Sequence, residues 1–141
     1  MTYSPLAGGW LSGKCRKGQE VSGPDSAARL RRLPARYDAG DPYNAMKLDA
    51  ADALGALADE AGITLIQMAI AFVTRHPAVT SAIIGPRTME HLDSYLAADG
   101  IDLPSDVLDR IDEIVPPGVT INVADNMWNY TTWRSAAFRR R

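Results

Sequence analysis

Ala82-Ile83-Ile84-Gly85-Pro86-Arg87-Thr88-Met89-Glu90-His91-Leu92 is the stretch on which the fold turns. An apolar strand runs into a glycine, an arginine stands two positions later, and Thr88 opens a helix at once. Glycine lets backbone approach an anion closely, and the first N–H groups of a helix point toward one. The arginine can add a bidentate contact that lysine does not copy. Together these residues describe a turn suited to phosphate.

Working outward, Val79 to Ile84 reads as a short apolar strand of the kind found in parallel sheets. Thr88 caps a helix from Met89 to about Ala98, with Met89, Leu92 and Leu96 expected inward. Asp102-Leu103-Pro104 opens another helix, in which Val107, Leu108, Ile111, Ile114 and Val115 form one stripe; Pro116-Pro117-Gly118 stops it. Upstream, Thr64 and Gln67 have capping-box spacing, and Pro77 ends the helix they start. Its residues Leu65 to Val73 are apolar nearly all round, which predicts burial on most sides. A preceding helix begins near Lys47, with Leu48, Ala51, Leu54, Leu57, Ala58 and Ala61 at three- and four-residue steps, and Gly62 closes it.

The start of the chain reads as a second strand, Met1 to Ser4, broken by Pro5 and followed by a glycine-rich loop to Gly13-Lys14. Residues 15–46 read as a long surface excursion with a short helix near Ser26–Leu33. Residues 119–141 form an aperiodic tail ending in three arginines. Both strands are followed by a turn suited to an anion. Two strands do not make a stable sheet alone, so the sheet needs more chain or a partner.

The bulk properties narrow the function. With 141 residues the chain is long enough for one core, and a net charge of −2 argues against binding duplex nucleic acid or an anionic membrane. There is no long apolar run to span a bilayer and no basic, signal-like start. A lone cysteine, Cys15, cannot form an internal disulfide, which fits a reducing, cytoplasmic setting. His76 and His91, the two histidines, lack zinc-ligand spacing with it.

Two motifs resemble the C-terminal part of the aldo-keto reductase family. Tyr3-Ser4-Pro5-Leu6-Ala7-Gly8-Gly9-Trp10-Leu11-Ser12-Gly13-Lys14 resembles that family's strand-seven loop, and Ile83 to Leu92 resembles its strand-eight and helix-eight segment. The resemblance implies an α/β fold, the last strands and helices of a partial TIM (β/α)8 barrel, with residues 1–141 as the C-terminal portion of the domain. It also implies NADP(H) as cofactor and a small carbonyl substrate in an intact enzyme. By that resemblance Tyr3 faces the nicotinamide, and Ser4, Pro5, Leu6, Ala7 and Gly8 wrap the pyrophosphate with Lys14 closing over it. Gly85 and Arg87 then hold the 2′-phosphate, and His91 flanks the adenosine. The family's catalytic Asp, Tyr, Lys and His come from earlier strands, so no catalytic residue is expected in this chain. A truncated frame or a misplaced start would explain that. The family pattern often has Gln and Asn on helix eight where this chain has His91 and Tyr95.

Taken singly, these residues have plainer readings. Tyr3 also suits any strand, the glycines any loop, and Arg87 a solvated helix start. Trp10, Trp128 and Trp133 suit a substrate pocket or ordinary packing. At the level of function, a stand-alone nucleotide-binding or regulatory module completed by self-association through exposed barrel edges is the alternative to a reductase fragment. A helix-turn-helix reading fails on Leu65–Val73, which offers only Gln67 to base edges.

Overall fold

The computed structural model describes residues 1–18 and 30–126. Its elements run β1 (Thr2–Tyr3), a 3-10 turn (Ala7–Gly9), α1 (Pro34–Tyr37), α2 (Pro42–Glu60), α3 (Leu65–Arg75), β2 (Ala82–Ile83), α4 (Met89–Leu96), α5 (Ser105–Ile114) and a last 3-10 turn (Val123–Asp125). Of the helix expected near Ser26–Leu33, residues 30–32 are helical and 26–29 lie outside the described residues. Trp128, Trp133 and the rest of the tail from 127 lie outside them too.

The core is helical. Leu54, Leu57 and Ala58 from α2 meet Leu65, Met68 and Ala71 from α3, with Leu103, Val107 and Ile111 closing the third side. The α5 stripe is the one the sequence spacing predicts, with Leu108 and Ile114 packed at its edge. Gly62 takes φ +71, which ends α2 as a left-handed cap, and α3 leaves at 93° to it. The Thr64–Gln67 capping box forms in both directions. No single helix among the described residues is long and apolar enough to cross a membrane.

Several expectations need correction. α2 begins at Pro42, well before Lys47, because Asp41 accepts hydrogen bonds from the Tyr43 and Asn44 amides and Pro42 supplies the first helical φ. The apolar period starts later than the cap, so periodicity alone placed the start too late. The span 15–46 is not all surface: Cys15 and Asn44 are buried. Met89 and Leu96 are exposed although expected inward. They share one side of α4, whose main packing partner is α3, so that partner covers only the opposite side. Phe72 on α3 is exposed for a related reason, since α3 is covered by α2 and α4 on part of its circumference.

Candidate functional site

The two strands are short but their pairing is informative. β1 and β2 run parallel, Thr2 against Ala82 and Tyr3 against Ile83. Parallel strands release their following turns at the same edge. The loop after Tyr3 and the turn after Ile83 therefore leave one end of the sheet together, although most of the helical block separates them in sequence. The strands are two residues each rather than the longer runs the sequence suggests. Tyr3, 59% exposed, and Ile83, 53% exposed, stand on one face; Thr2 and Ala82 turn the other way and are half-buried.

The Ser4–Gly9 loop is unusual in its backbone. Ser4 at φ +55 and Ala7 at φ +48 are non-glycine residues in the left-handed region, followed by Gly8 at +67 and Gly9 at +103. Left-handed non-glycine residues cost about 1–2 kcal/mol each, and they persist only where surroundings hold them. Inside the loop the Ala7 amide donates to Ser4 O at 2.9 Å and the Gly9 amide to Leu6 O at 2.8 Å. Ser12 Oγ donates to Gly9 O at 2.7 Å. Pro5, Leu6 and Gly8 are half-buried; Ser4, Ala7 and Lys14 are exposed. Thr2 Oγ1 and Trp10 Nε1, which flank this loop in sequence, are buried without a hydrogen-bond partner among the described residues.

At the second turn, Gly85 and Arg87 are exposed. A Cβ built on Gly85 meets no atom of the described residues within 4 Å, and its φ lies outside the left-handed region, so nothing in their packing demands a glycine there. Thr88 Oγ1 accepts from the His91 amide at 3.2 Å and fixes the start of α4. His91 is half-buried, with its ring stacked on Tyr95 at 6.4 Å between centroids. The structure thus pairs Tyr3 with Ile83, so that the loop of Ser4, Pro5, Leu6, Ala7 and Gly8 and the turn of Gly85 and Arg87 both start from the same end of the sheet, with His91 on the first turn of α4.

A polar cluster behind the first loop escaped the sequence reading. Lys47, 8% exposed, donates to Arg36 O at 2.8 Å and Asp125 Oδ2 at 2.9 Å. Arg36 Nε donates to Asp125 Oδ1 at 2.7 Å. Asn122 Nδ2 donates to Asn44 Oδ1 at 2.7 Å and to Ala35 O at 3.0 Å. One signal was present: Asn44 and Lys47 continue the Ala51, Leu54, Ala58 stripe of α2, so polar residues stand at core positions.

The aldo/keto reductase family model matches residues 1–116. The chain belongs to the aldo/keto reductase family. It is 35% identical over 116 residues to a probable voltage-gated potassium channel subunit beta of Arabidopsis thaliana, covering 81% of this chain and 34% of that protein. It is 33% identical over 119 residues to the uncharacterized oxidoreductase YrpG of Bacillus subtilis, covering 84% and 32%. Protein tas of Escherichia coli is 31% identical over 114 residues, covering 81% and 31%. The chain spans about a third of the length of these curated relatives. Aldo/keto reductases are (β/α)8 barrels; the described part of this one is mainly helical with a two-stranded parallel sheet.

Proposed function

We propose that the shared sheet edge is a site for NADP(H), serving carbonyl or aldehyde oxidoreduction of the aldo/keto reductase type. In this reading Ser4, Pro5, Leu6, Ala7 and Gly8 wrap the pyrophosphate and Lys14 closes over it. Gly85 and Arg87 take the adenosine 2′-phosphate, His91 flanks the adenosine, and Tyr3 offers its ring to the nicotinamide. A bound nicotinamide supplies the hydride chemistry; these residues bind and orient. The carrying observation is the in-register parallel pairing of β1 with β2, which delivers both turns to one edge. The residues present fit the group. Gly85 has open space where a Cβ would stand, and Lys14 and Arg87 place cationic side chains on the exposed surface after each turn. No residue of these 141 is assigned an acid–base role, so the chain by itself is a cofactor-binding portion without turnover, in a cytoplasmic setting.

Fluorescence titration of the purified chain with NADPH and NADH tests this. Weak binding is expected, and Arg87→Ala should weaken NADPH about tenfold while NADH changes little, since only NADPH carries the extra phosphate. Equal loss for both would remove the assignment of Arg87. Absence of NADPH binding would remove the site.

One observation favours a second reading. Among the described residues the sheet has two strands, and Tyr3 and Ile83 are exposed on one face of it. A nucleotide-binding module completed by self-association would cover that face. Gel filtration separates the two: an oligomer supports it, and a monomer with a cooperative melt counts against it.

A further inference from the structure

The strained first loop is held from behind by a side chain that the cofactor reading does not use. Tyr37 donates its hydroxyl hydrogen to Gly8 O at 3.0 Å. A Cβ on Gly8 would lie 2.5 Å from that hydroxyl oxygen, so Tyr37 reaches the loop where a side chain is missing. The Tyr37 ring lies parallel to Trp10, with 6.0 Å between centroids and 1° between planes. The ammonium of Lys47 sits 4.6 Å from the Trp10 centroid and 5.8 Å from that of Tyr37. The same ammonium donates to Arg36 O and to Asp125 Oδ2, while Arg36 Nε donates to Asp125 Oδ1. One carboxylate from the C-terminal segment therefore binds both cations that lie within 6 Å of the Tyr37 ring.

We infer that Tyr37 is the positioning residue of the Ser4–Gly9 loop, and that Asp125, acting through Arg36 and Lys47, sets where Tyr37 stands. Ser4 and Ala7 need outside support to stay left-handed, and the hydroxyl bond to Gly8 lies directly after Ala7. Asp125 lies beyond residues 1–116, the span matched by the family model, in the 3-10 turn Val123–Asp125. The inference rests on the cofactor reading only for what the loop grips.

Tyr37→Phe keeps the ring stack and removes the hydroxyl. Amide hydrogen exchange at Gly9 and Leu11 should then speed up about tenfold, with the amides of α3 unchanged. NADPH affinity, titrated on the same variant, should fall several-fold while the melting temperature holds, a split that a merely structural role would not give. Asp125→Asn, which keeps the shape and removes the charge, should move the loop amides in the same direction. Unchanged exchange at Gly9 and Leu11 in Tyr37→Phe would overturn the inference, as would faster exchange with unaltered NADPH affinity. Faster loop exchange in a chain whose wild type binds no NADPH would uphold the positioning role and sink the cofactor reading alone.

Discussion

The helical block and the sheet end are built on opposite terms. The block of α2, α3 and α5 buries a continuous apolar cluster around Leu57 and Met68, held by caps whose partners lie three residues away. The sheet end pairs residues distant in sequence, exposes Tyr3 and Ile83, and carries two left-handed non-glycine residues. The first region is stabilised mainly by burial among its own helices, with Leu11 of the first loop packed at its rim. The second is held by few contacts, and the ones that tie it to the rest of the molecule, the β1–β2 pairing and the Tyr37 bond to Gly8, join residues far apart in sequence. Proteins commonly draw binding loops from such low-stability regions. The difference teaches that stability and the candidate site are separable here, and substitutions in the two regions should show it.

The largest effect is expected at Leu57, 1% exposed. Leu57→Ala leaves a cavity and should lower stability by about 2–5 kcal/mol in chemical denaturation, whereas Ile83→Ala, on the open face, should cost well under about 1 kcal/mol. Similar losses at both positions would break the comparison. Next comes Gly8→Ala, which forces a Cβ into the left-handed region and against the Tyr37 hydroxyl. Destabilisation of about 1–2 kcal/mol is expected, concentrated in loop amide exchange and not in the amides of α3. Thr64→Ala removes the cap of α3 and should cost about 1 kcal/mol, read as a lower melting temperature with NADPH affinity unaltered. A change in affinity would show that the block and the site are coupled.

The smallest effect belongs to a fully exposed pair on the outside of the block. The hydrogen bond from Arg110 Nη1 to Glu60 Oε2 at 2.6 Å, aided by the charge of Arg110, holds the Glu60 carboxyl below its ordinary pKa. A lowered folded pKa means that the pair's contribution is present above the ordinary carboxylate value and lost as pH falls through the lowered one. Arg110→Ala should therefore remove a small acid-side slope in stability, and added salt should do the same to the wild type. An unchanged slope would show that this pair adds nothing to the block.

Much of the block was legible in the sequence because its determinants are local. The Thr64–Gln67 box, the closing Gly62 and the Val107–Ile111 stripe each act over one or two helical turns. The two turns that follow the strands were legible for the same reason, as a glycine or a broken strand beside a helix start or a loop. The start of α2 was misplaced because its cap, Asp41-Pro42, precedes the apolar period by several residues. Met89 and Leu96 were expected inward because spacing reports which residues share a side, not whether anything lies against it.

The amino-acid order by itself determined α3, α4 and α5, the caps at Thr64 and Thr88, the core stripe and the family, since each depends on residues near one another in the chain or on a motif read along it. Only the tertiary structure decided that β1 lies beside β2 in parallel, so that two remote turns share an edge. It alone showed that Asp125 reaches back to Lys47 and Arg36 behind Tyr37. Pairings across such separations carry no local period, because their free energy is gained only after the chain has folded back on itself and the entropy of closing that long loop has been met.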